Sequence, residues 1–330
     1  MTTRVSFTGG SGFIGRYCYE KFQAEFSDLE IDSNLDLVQP EFDYVGNHVQ
    51  GDVRSSETCE KICANTDVII HLAAAHRDFG IERDEYFDVN ENGTLQLLNA
   101  MDRKGVRKLI FTSSVAVYNP DDNEISEATK PDPQNPYGAS KLAAEKRIED
   151  WVAADSQRLA LIIRPTVVIG PRNQATMYSL IDQIKRGKYL FNIGSGKNVK
   201  SLAVVSNLVN FMGEWASQQP DGQIHVANFV DGPQLQTTQI VDIIHEELGM
   251  KRPTIGLPIG VVSAMAFPVD LLTKCIGKRS PITPARVKKF GTQTKFDAAE
   301  LQRMQYDPEK TTEQGLREMV RWYLDVNGST

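Results

Sequence analysis

The chain has 330 residues, of which 41% are hydrophobic and 24% charged, and its formal net charge is −7. This length is enough for one large domain or two fused domains with a substantial buried core. A net negative charge is unlike the excess of positive charge that is typical of nucleic-acid-binding proteins, so we expect no nucleic-acid partner.

The four cysteines predict neither a disulfide framework nor a metal centre. Cys59 and Cys63 are one helical turn apart, and no nearby Cys or His completes a zinc set, so we expect no metal. Four scattered cysteines fit a protein of a reducing compartment. The N-terminal residues give no targeting pattern, and together these features predict a cytoplasmic protein.

The most apolar later stretch, 255–276, is a poor candidate for a membrane span. It is interrupted by Pro258, Pro268, Asp270 and Lys274. We therefore expect no stable membrane insertion. A loop or helix that covers a substrate pocket is the favoured interpretation, and loose membrane contact is the alternative.

The first half of the chain alternates predicted strands and helices. Apolar runs predict strands at 4–8, 29–32, 67–72 and 108–113, and helical spacing predicts helices at 16–26 and 86–104. Strands that alternate with helices are typical of an α/β fold with a parallel sheet and right-handed crossovers.

A glycine-rich turn follows the first strand. Gly9, Gly12 and Gly15 allow a pyrophosphate to approach the backbone, and the helix that follows offers free N–H groups and the positive end of its dipole. Asp32 lies 17 residues beyond Gly15, at the predicted end of the second strand. A carboxylate there can accept hydrogen bonds from the adenosine ribose hydroxyls and would repel a 2′-phosphate, which favours NAD over NADP. A helix-capping role for Asp32 is the alternative.

A second signature is Tyr137 followed four residues later by Lys141. On a helix this spacing places both side chains on one face, where they can converge on one ribose. The ammonium group would stabilise a phenolate and lower the phenol pKa from about 10 towards neutrality. Upstream, Ser113 and Ser114 end a predicted strand, where a hydroxyl group can hold the reacting oxygen.

In this order and spacing, the motifs resemble those of the extended short-chain dehydrogenase/reductase family, in its NAD-dependent epimerase/dehydratase branch. The resemblance covers about residues 4–250. Further matching landmarks are 51–54, 71–74, 90–94, 164–166 and 170–172.

The resemblance implies a Rossmann-type, doubly wound parallel sheet with a smaller C-terminal substrate-binding region. Residues 1–170 would form the NAD-binding domain, with some later segments returning to it, and 171–330 would mainly bind substrate. The family often forms dimers, so a homodimer is expected. The resemblance assigns catalysis to Ser114, Tyr137 and Lys141. The residues expected at the cofactor are Gly9, Gly12, Phe13, Ile14, Gly15, Asp32, Asp52, Val53, Leu72, Ala73, Ala74, Asn90, Ser113, Tyr137, Lys141 and Pro165.

Departures from the family pattern narrow the choice of reaction and of substrate. Val115 and Ala116 follow the catalytic serine where sugar-nucleotide dehydratases carry an acidic pair, so a dehydratase is disfavoured. Val167 and Val168 stand where galactose-type epimerases often have an Asn that touches the nucleotide sugar, and Asn207 replaces a usual Asp. His71 is interpreted as a packing and hydrogen-bonding residue. The expected substrate contacts are His76, Arg172, Lys200 and Arg286, with Arg279 beside the last of these.

We therefore expect an NAD-dependent nucleotide-sugar epimerase that inverts carbon 4 of a UDP-hexose or related sugar through a 4-keto intermediate. Residues 282–297 resemble, less closely than the cofactor motifs do, proteins of this branch that are associated with surface-polysaccharide sugars. We therefore expect the substrate to be a sugar of that kind. The alternative is an NAD-dependent dehydrogenase or reductase of a keto sugar or a steroid- or flavonoid-like alcohol. A cofactor-binding regulator without turnover is disfavoured, because Ser114, Tyr137 and Lys141 are all present.

Overall fold

The computed structural model describes residues 2–76, 80–119, 125–218, 222–253, 256–264 and 292–328. Two expected substrate contacts, Arg279 and Arg286, lie outside these ranges, as does most of the apolar stretch 255–276. The same holds for Cys275.

The elements of the described residues alternate between strand and helix through the first half of the chain. In chain order they are β1 (Thr3–Thr8), α1 (Phe13–Glu25), β2 (Leu29–Asp36), β3 (Asn47–Gln50), α2 (Ser56–Ile62), β4 (Val68–His71), α3 (Arg83–Phe87), a π-helical turn (Asp88–Asn92), α4 (Gly93–Lys104), β5 (Lys108–Thr112), a 3₁₀ turn (Val115–Val117), α5 (Pro136–Ala153), β6 (Leu159–Pro165), β7 (Val167–Ile169), α6 (Thr176–Lys185), β8 (Asn192–Ile193), β9 (Val199–Lys200), β10 (Leu202–Val204), α7 (Val205–Ser217), β11 (Ile224–Phe229), β12 (Leu235–Gln236), α8 (Thr237–Leu248), β13 (Gly256–Leu257), α9 (Ala299–Arg303) and α10 (Thr312–Asn327).

Seven strands of the described residues form one parallel sheet in the order β11-β6-β5-β4-β1-β2-β3. This confirms the expected Rossmann-type α/β class. The strand order reverses direction at β1, so the carboxyl ends of β1 and β4 flank the crevice in which such sheets bind ligands.

Both faces of the sheet are covered, which explains why its central strands are nearly continuous apolar runs. Ile70 faces a layer that contains Phe22 of α1 and Met212 of α7. The preceding residue, Ile69, faces the opposite layer, which contains Leu98 of α4 and Ile148 of α5. Alternate side chains of each strand therefore fill different cores.

Elements from beyond residue 170 contribute to both the main sheet and a smaller core. β11 pairs with β6, and α7 belongs to the main hydrophobic layer. A separate cluster joins helices α6, α8 and α10 through Ile181, Ile244 and Met319. No helix of the described residues combines the length and apolarity needed to traverse a bilayer.

Two predicted boundaries were wrong. β2 ends at Asp36 and not at Asp32, and a β-bulge at Asp32 shifts its register, since Val5 pairs with Ile31 and Ser6 with Ser33. The strand continues through polar residues because Asn34, fully buried, accepts a hydrogen bond from the Gly10 N–H at 2.9 Å. The helix predicted at 86–104 begins at Arg83 and is interrupted by the π-helical turn.

Candidate active site

The glycine turn joins β1 to α1 at the carboxyl edge of the sheet. Gly9 has φ +72°, and a Cβ there would lie 2.6 Å from the backbone nitrogen of Ala73. A Cβ at Gly15 would overlap the backbone of Gly10, so this glycine lets the helix close onto the turn. No side chain caps α1 at Gly12. The N–H groups of its first turn, at Phe13, Ile14 and Gly15, are suited to an anionic ligand such as a pyrophosphate.

Asp36, and not Asp32, is the acidic residue beside this turn. An Asp36 carboxylate oxygen accepts a hydrogen bond from the Ser11 N–H at 3.0 Å. Asp32 lies at the bulge within β2, where its carboxylate accepts a 2.6 Å hydrogen bond from the Ser33 hydroxyl. The expectation for Asp32 placed it at the end of β2, and the residue at that end is Asp36. A contact of either carboxylate with a ribose remains a prediction.

The predicted adenine contacts lie after β3. The Asp52 carboxylate accepts hydrogen bonds from the Arg54 side chain at 2.6 and 3.0 Å, and these bonds hold the pKa of Asp52 below its ordinary value. Val53 is buried, and a Cβ on Gly93 would come within 2.7 Å of its side chain. Arg54 also contacts Asp88 at 2.7 Å, which ties this segment to the π-helical turn.

His71, the last residue of β4, connects the glycine turn to the helix that follows. Its Nδ1 lies 2.6 Å from the Thr8 hydroxyl, and its Nε2 lies 3.0 Å from the Thr94 hydroxyl. Thr94 donates its own proton to the Asn90 carbonyl at 2.6 Å, so His71 Nε2 carries the proton and Nδ1 accepts one. Burial lowers the pKa of His71 to about 3, and the imidazole is neutral. The structural role predicted for His71 is confirmed.

The segment after β4 is held against both the glycine turn and helix α5. The N–H groups of Leu72 and Ala73 bond to the backbone and side-chain oxygens of Thr8, at 2.9 and 3.3 Å. Half-buried Ala74 follows. The Asn90 side chain accepts from the Ala75 N–H at 2.8 Å and donates to the Ser140 hydroxyl at 2.9 Å. Asn90 therefore braces the predicted cofactor path onto α5.

Helix α5 carries Tyr137 in its first turn and approaches the Ser114 turn closely. The Asn135 side chain caps the helix by accepting from the Gly138 N–H at 2.8 Å. A Cβ on Gly138 would overlap the carbonyl oxygen of Ala116, two residues after Ser114. The absence of a side chain at Gly138 thus brings the turns of Ser114 and Tyr137 together, as the sequence predicts for these two residues.

Lys141 lies one turn further along α5 and is 2% exposed. Its ammonium donates to the Thr112 carbonyl at 2.8 Å and lies 4.7 Å from the centroid of the Phe111 ring. Burial lowers the pKa of Lys141 to about 7, and the nearby Glu145 carboxylate opposes that shift. One of its three donors is used by the strand end, which leaves donors for a ribose or a phenolate.

A buried ion pair beneath Lys141 was not predicted from the sequence. Glu145, fully buried, pairs with Arg164 through two hydrogen bonds of 2.5 and 2.9 Å. Arg164 also donates to the Tyr118 hydroxyl at 2.5 Å. The pair joins helix α5 to the end of β6, beside Pro165. Glu145 stands one helical turn after Lys141, which is the signal that could have indicated it.

Ser113 is part of this buried network. Its hydroxyl donates to Glu145, and its N–H donates to the Ile163 carbonyl at 2.7 Å. Both donors of Ser113, its hydroxyl and its N–H, are therefore already used within the protein. A contact of Ser113 with the cofactor remains a prediction and would need another of its atoms or a rearrangement. Ser114 is different, because its hydroxyl is half-buried and accepts from the Ala116 N–H at 3.1 Å.

The expected substrate contacts are dispersed. Arg172 pairs with Glu20 of α1 at 2.9 Å, with its guanidinium over the Tyr17 ring. Lys200 of β9 donates to the Thr292 carbonyl at 2.5 Å, and His76 is exposed, 3.2 Å from the Ala74 carbonyl. Their contacts with a substrate remain predictions.

Comparisons with known proteins give a consistent classification. A model of the NAD dependent epimerase/dehydratase family matches residues 5–227. The chain is 36% identical over 325 residues to the N-acetyl-alpha-D-glucosaminyl-diphospho-ditrans,octacis-undecaprenol 4-epimerase of Escherichia coli O157:H7, covering 98% of this chain and 96% of the relative. It is 26% identical over 341 residues to the UDP-glucose 4-epimerase of Vibrio cholerae, covering 99% and 97%.

Solved structures share the fold at lower identity. The UDP-glucuronic acid 4-epimerase from Bacillus cereus in complex with NAD has a TM-score of 0.76 at 20% identity, covering 98% of this chain and 99% of that one.

Proposed function

Because the chain belongs to the NAD dependent epimerase/dehydratase family, we propose that it inverts carbon 4 of an N-acetylhexosamine or hexose joined to a diphosphate carrier. NAD is the cofactor of this family. The observation that carries the proposal is the convergence of three features at one edge of the sheet. These are the uncapped glycine turn, the Ser114 turn packed against Gly138, and Lys141 buried one turn from Tyr137.

The side chains divide the proton chemistry between them. NAD, when bound, would supply reversible hydride transfer at carbon 4 of the sugar. Tyr137, as phenolate, takes the proton of the 4-hydroxyl group and later gives it back. Ser114 donates a hydrogen bond to the reacting oxygen. Lys141 stabilises the phenolate with its positive charge, and Glu145 favours the charged form of Lys141.

The residues present fit NAD at each part of the cradle. The first turn of α1 offers backbone donors to the pyrophosphate, and Asp36 presents a carboxylate beside the same turn for the ribose hydroxyls. Asp52 and Val53 would flank the adenine. Leu72, Ala73 and Ala74 would line the path between the two halves, with Lys141 at the nicotinamide ribose.

The proposal also concerns the carrier, which is the diphosphate-containing group to which the sugar is joined. The relative from Escherichia coli is named for a sugar on a polyprenol diphosphate, and the relative from Vibrio cholerae for one on UDP. Both carriers present a diphosphate, for which Lys200 and Arg286 are the proposed cations. A cytoplasmic homodimer that supplies a sugar for surface polysaccharide completes the proposal.

The test supplies the purified protein, without added NAD, with UDP-N-acetylglucosamine and with the same sugar on a polyprenol diphosphate. We expect the 4-epimer to form from at least one of them, and stoichiometric NAD to be released on denaturation. Tyr137→Phe should lower the rate by about 100- to 10,000-fold. Tyr178→Phe, which removes a hydroxyl on α6, should retain the wild-type rate.

The substrate that is epimerised faster, the UDP-linked or the polyprenol-linked sugar, identifies the carrier. A protein that is isolated empty, and that oxidises or reduces a substrate with net consumption of NAD or NADH, would overturn the proposal in favour of the dehydrogenase or reductase.

A further inference from the structure

The edge of the molecule formed by β8 and β13 combines exposed apolar side chains with unpaired cations. β8 pairs with β13, and a Cβ at Gly194 would lie 3.1 Å from Ile259, so the two segments are neighbours. Leu190 is 68% exposed and Val261 46%, and both are among the most exposed large apolar side chains of the described residues. Exposed apolar side chains that cluster indicate a surface for interaction.

Three exposed lysines adjoin these segments in the sequence: Lys185 and Lys188 shortly precede β8, and Lys251 precedes β13. Within the part of the chain that the structure describes, none of the three ammonium groups forms an ion pair. The acidic residues nearby are already engaged, because Asp182 pairs with Arg186 and Asp242 with Arg252. The edge therefore presents a net positive charge.

The sequence from Lys251 onwards differs in charge from the rest of the chain. Residues 251–290 contain eight Lys or Arg and a single acidic residue, Asp270, in a protein whose net charge is −7. The same stretch holds the apolar run 255–276. Apolar side chains interspersed with cations are the composition of surfaces that lie on anionic bilayers, where the apolar groups insert and the ammonium groups reach the headgroups.

We propose that the edge defined by Lys185, Lys188, Leu190, Lys251, Ile259 and Val261 docks on the surface of an anionic lipid bilayer. The contact is peripheral and reversible, because it combines a few apolar side chains with charge attraction. A second copy of the chain is a poorer occupant, since it would bring the unpaired cations of two such edges together.

The proposal does not depend on the reaction. It does give a reason for a polyprenol-borne substrate, because the enzyme would meet such a carrier at the membrane. The two proposals fail separately, since docking is measured by vesicle binding and the reaction by epimer formation.

The experiment is flotation of the full-length protein with vesicles of phosphatidylcholine, alone or mixed with phosphatidylglycerol. We expect binding to the anionic vesicles only, weakened by added salt as exposed charges are screened. The combined variant K185Q/K188Q/K251Q should bind on the order of 100-fold more weakly, because each cation near an anionic surface contributes about fivefold. Leu190→Ser with Val261→Ser should also lose binding at unchanged charge.

The matched control is K61Q/K104Q/K146Q, which removes the same charge from exposed lysines on α2, α4 and α5. It should bind as the wild type does. Every variant should retain the wild-type NAD content and unfolding temperature, which shows that the fold is intact. Absence of vesicle binding by the wild type, or equal loss in both lysine variants, would overturn the proposal. Self-association that Leu190→Ser abolishes, without vesicle binding, would assign the edge to a second copy.

Discussion

Strand β2 carries two half-buried aspartates with different surroundings. Asp36 ends the strand, and its carboxylate accepts from the Ser11 N–H of the glycine turn and, at 3.3 Å, from the Val38 N–H. Asp32 lies at the bulge and is bonded by the hydroxyl of Ser33. Of the two, Asp36 adjoins the N-terminus of α1, which is the site proposed for the pyrophosphate. It follows Gly15 by 21 residues, close to the spacing of about 20 that is typical of dinucleotide sites.

We predict that Asp36→Ala weakens NAD binding by roughly 10- to 100-fold, since it removes a charged acceptor of ribose hydroxyl groups. Asp32→Ala is the matched control and should change the NAD dissociation constant by less than about threefold. Isothermal titration of protein stripped of cofactor measures both. A larger loss of NAD affinity in Asp32→Ala than in Asp36→Ala would assign the ribose contact to Asp32.

At the scale of elements, the contact between α5 and the Ser114 turn positions the residues proposed for catalysis. It depends on Gly138, where any side chain would meet the Ala116 carbonyl. The buried Glu145–Arg164 pair fixes the other end of the same contact by joining α5 to β6. The helix is thus held at two levels, with Lys141 between them.

We predict that Gly138→Ala lowers kcat by about 100-fold, because displacing the first turn of α5 by about 1 Å misplaces Tyr137 relative to Ser114. NAD binding through the glycine turn should change little. Ala139→Gly alters the same helical turn without adding an atom, so it should reduce stability by about 1 kcal/mol and leave kcat unchanged. Steady-state kinetics with urea unfolding separate the two effects. Wild-type kcat in Gly138→Ala would contradict this account.

How far the sequence predicts these elements depends on what defines each one. β1, β4 and β5 are predicted to within one residue or two, and the apolar runs in β4 and β5 are those of strands buried on both faces. In β1 the apolar Val5 and Phe7 alternate with Ser6 and Thr8. The end of β2 is missed because buried Asn34 is stabilised by hydrogen bonds and not by apolar packing. The Glu145–Arg164 pair is missed because its partners come from separate elements. The place of Glu145 one turn after Lys141 could have indicated that residue, but no local pattern identifies Arg164 as its partner.

At the scale of the whole molecule, one buried hydrogen-bonded chain connects the two halves of the cofactor cradle. It runs from Thr8 through His71 and Thr94 to Asn90, and from Asn90 to Ser140 on α5. Each member is buried and bonded on both sides, so the chain fixes the relative positions of the glycine turn and α5. A neutral His71 is required, because a second ring proton would displace the Thr8 donor.

This requirement predicts how stability depends on pH. The pKa of His71 is about 3 in the folded protein, because burial disfavours its charged form, and about 6.5 in an unfolded chain. Below about pH 6.5 the unfolded chain binds a proton that the folded protein does not. The contribution of His71 to the free energy of unfolding is therefore lost as the pH falls, by up to about 1.4 kcal/mol per pH unit.

Urea unfolding at pH 7.5 and pH 5 tests this dependence. Between these values His71→Gln should lose about 2 kcal/mol less than the wild type, because glutamine does not titrate. His76→Gln, at an exposed histidine, is the matched control and should follow the wild type. The comparison is between the pH dependences of the variants, so a constant loss of stability from the altered hydrogen bonds does not affect it. Equal losses in the wild type and His71→Gln would show that His71 is protonated in the folded protein, and the chain from Thr8 to Ser140 would then need a different arrangement of protons.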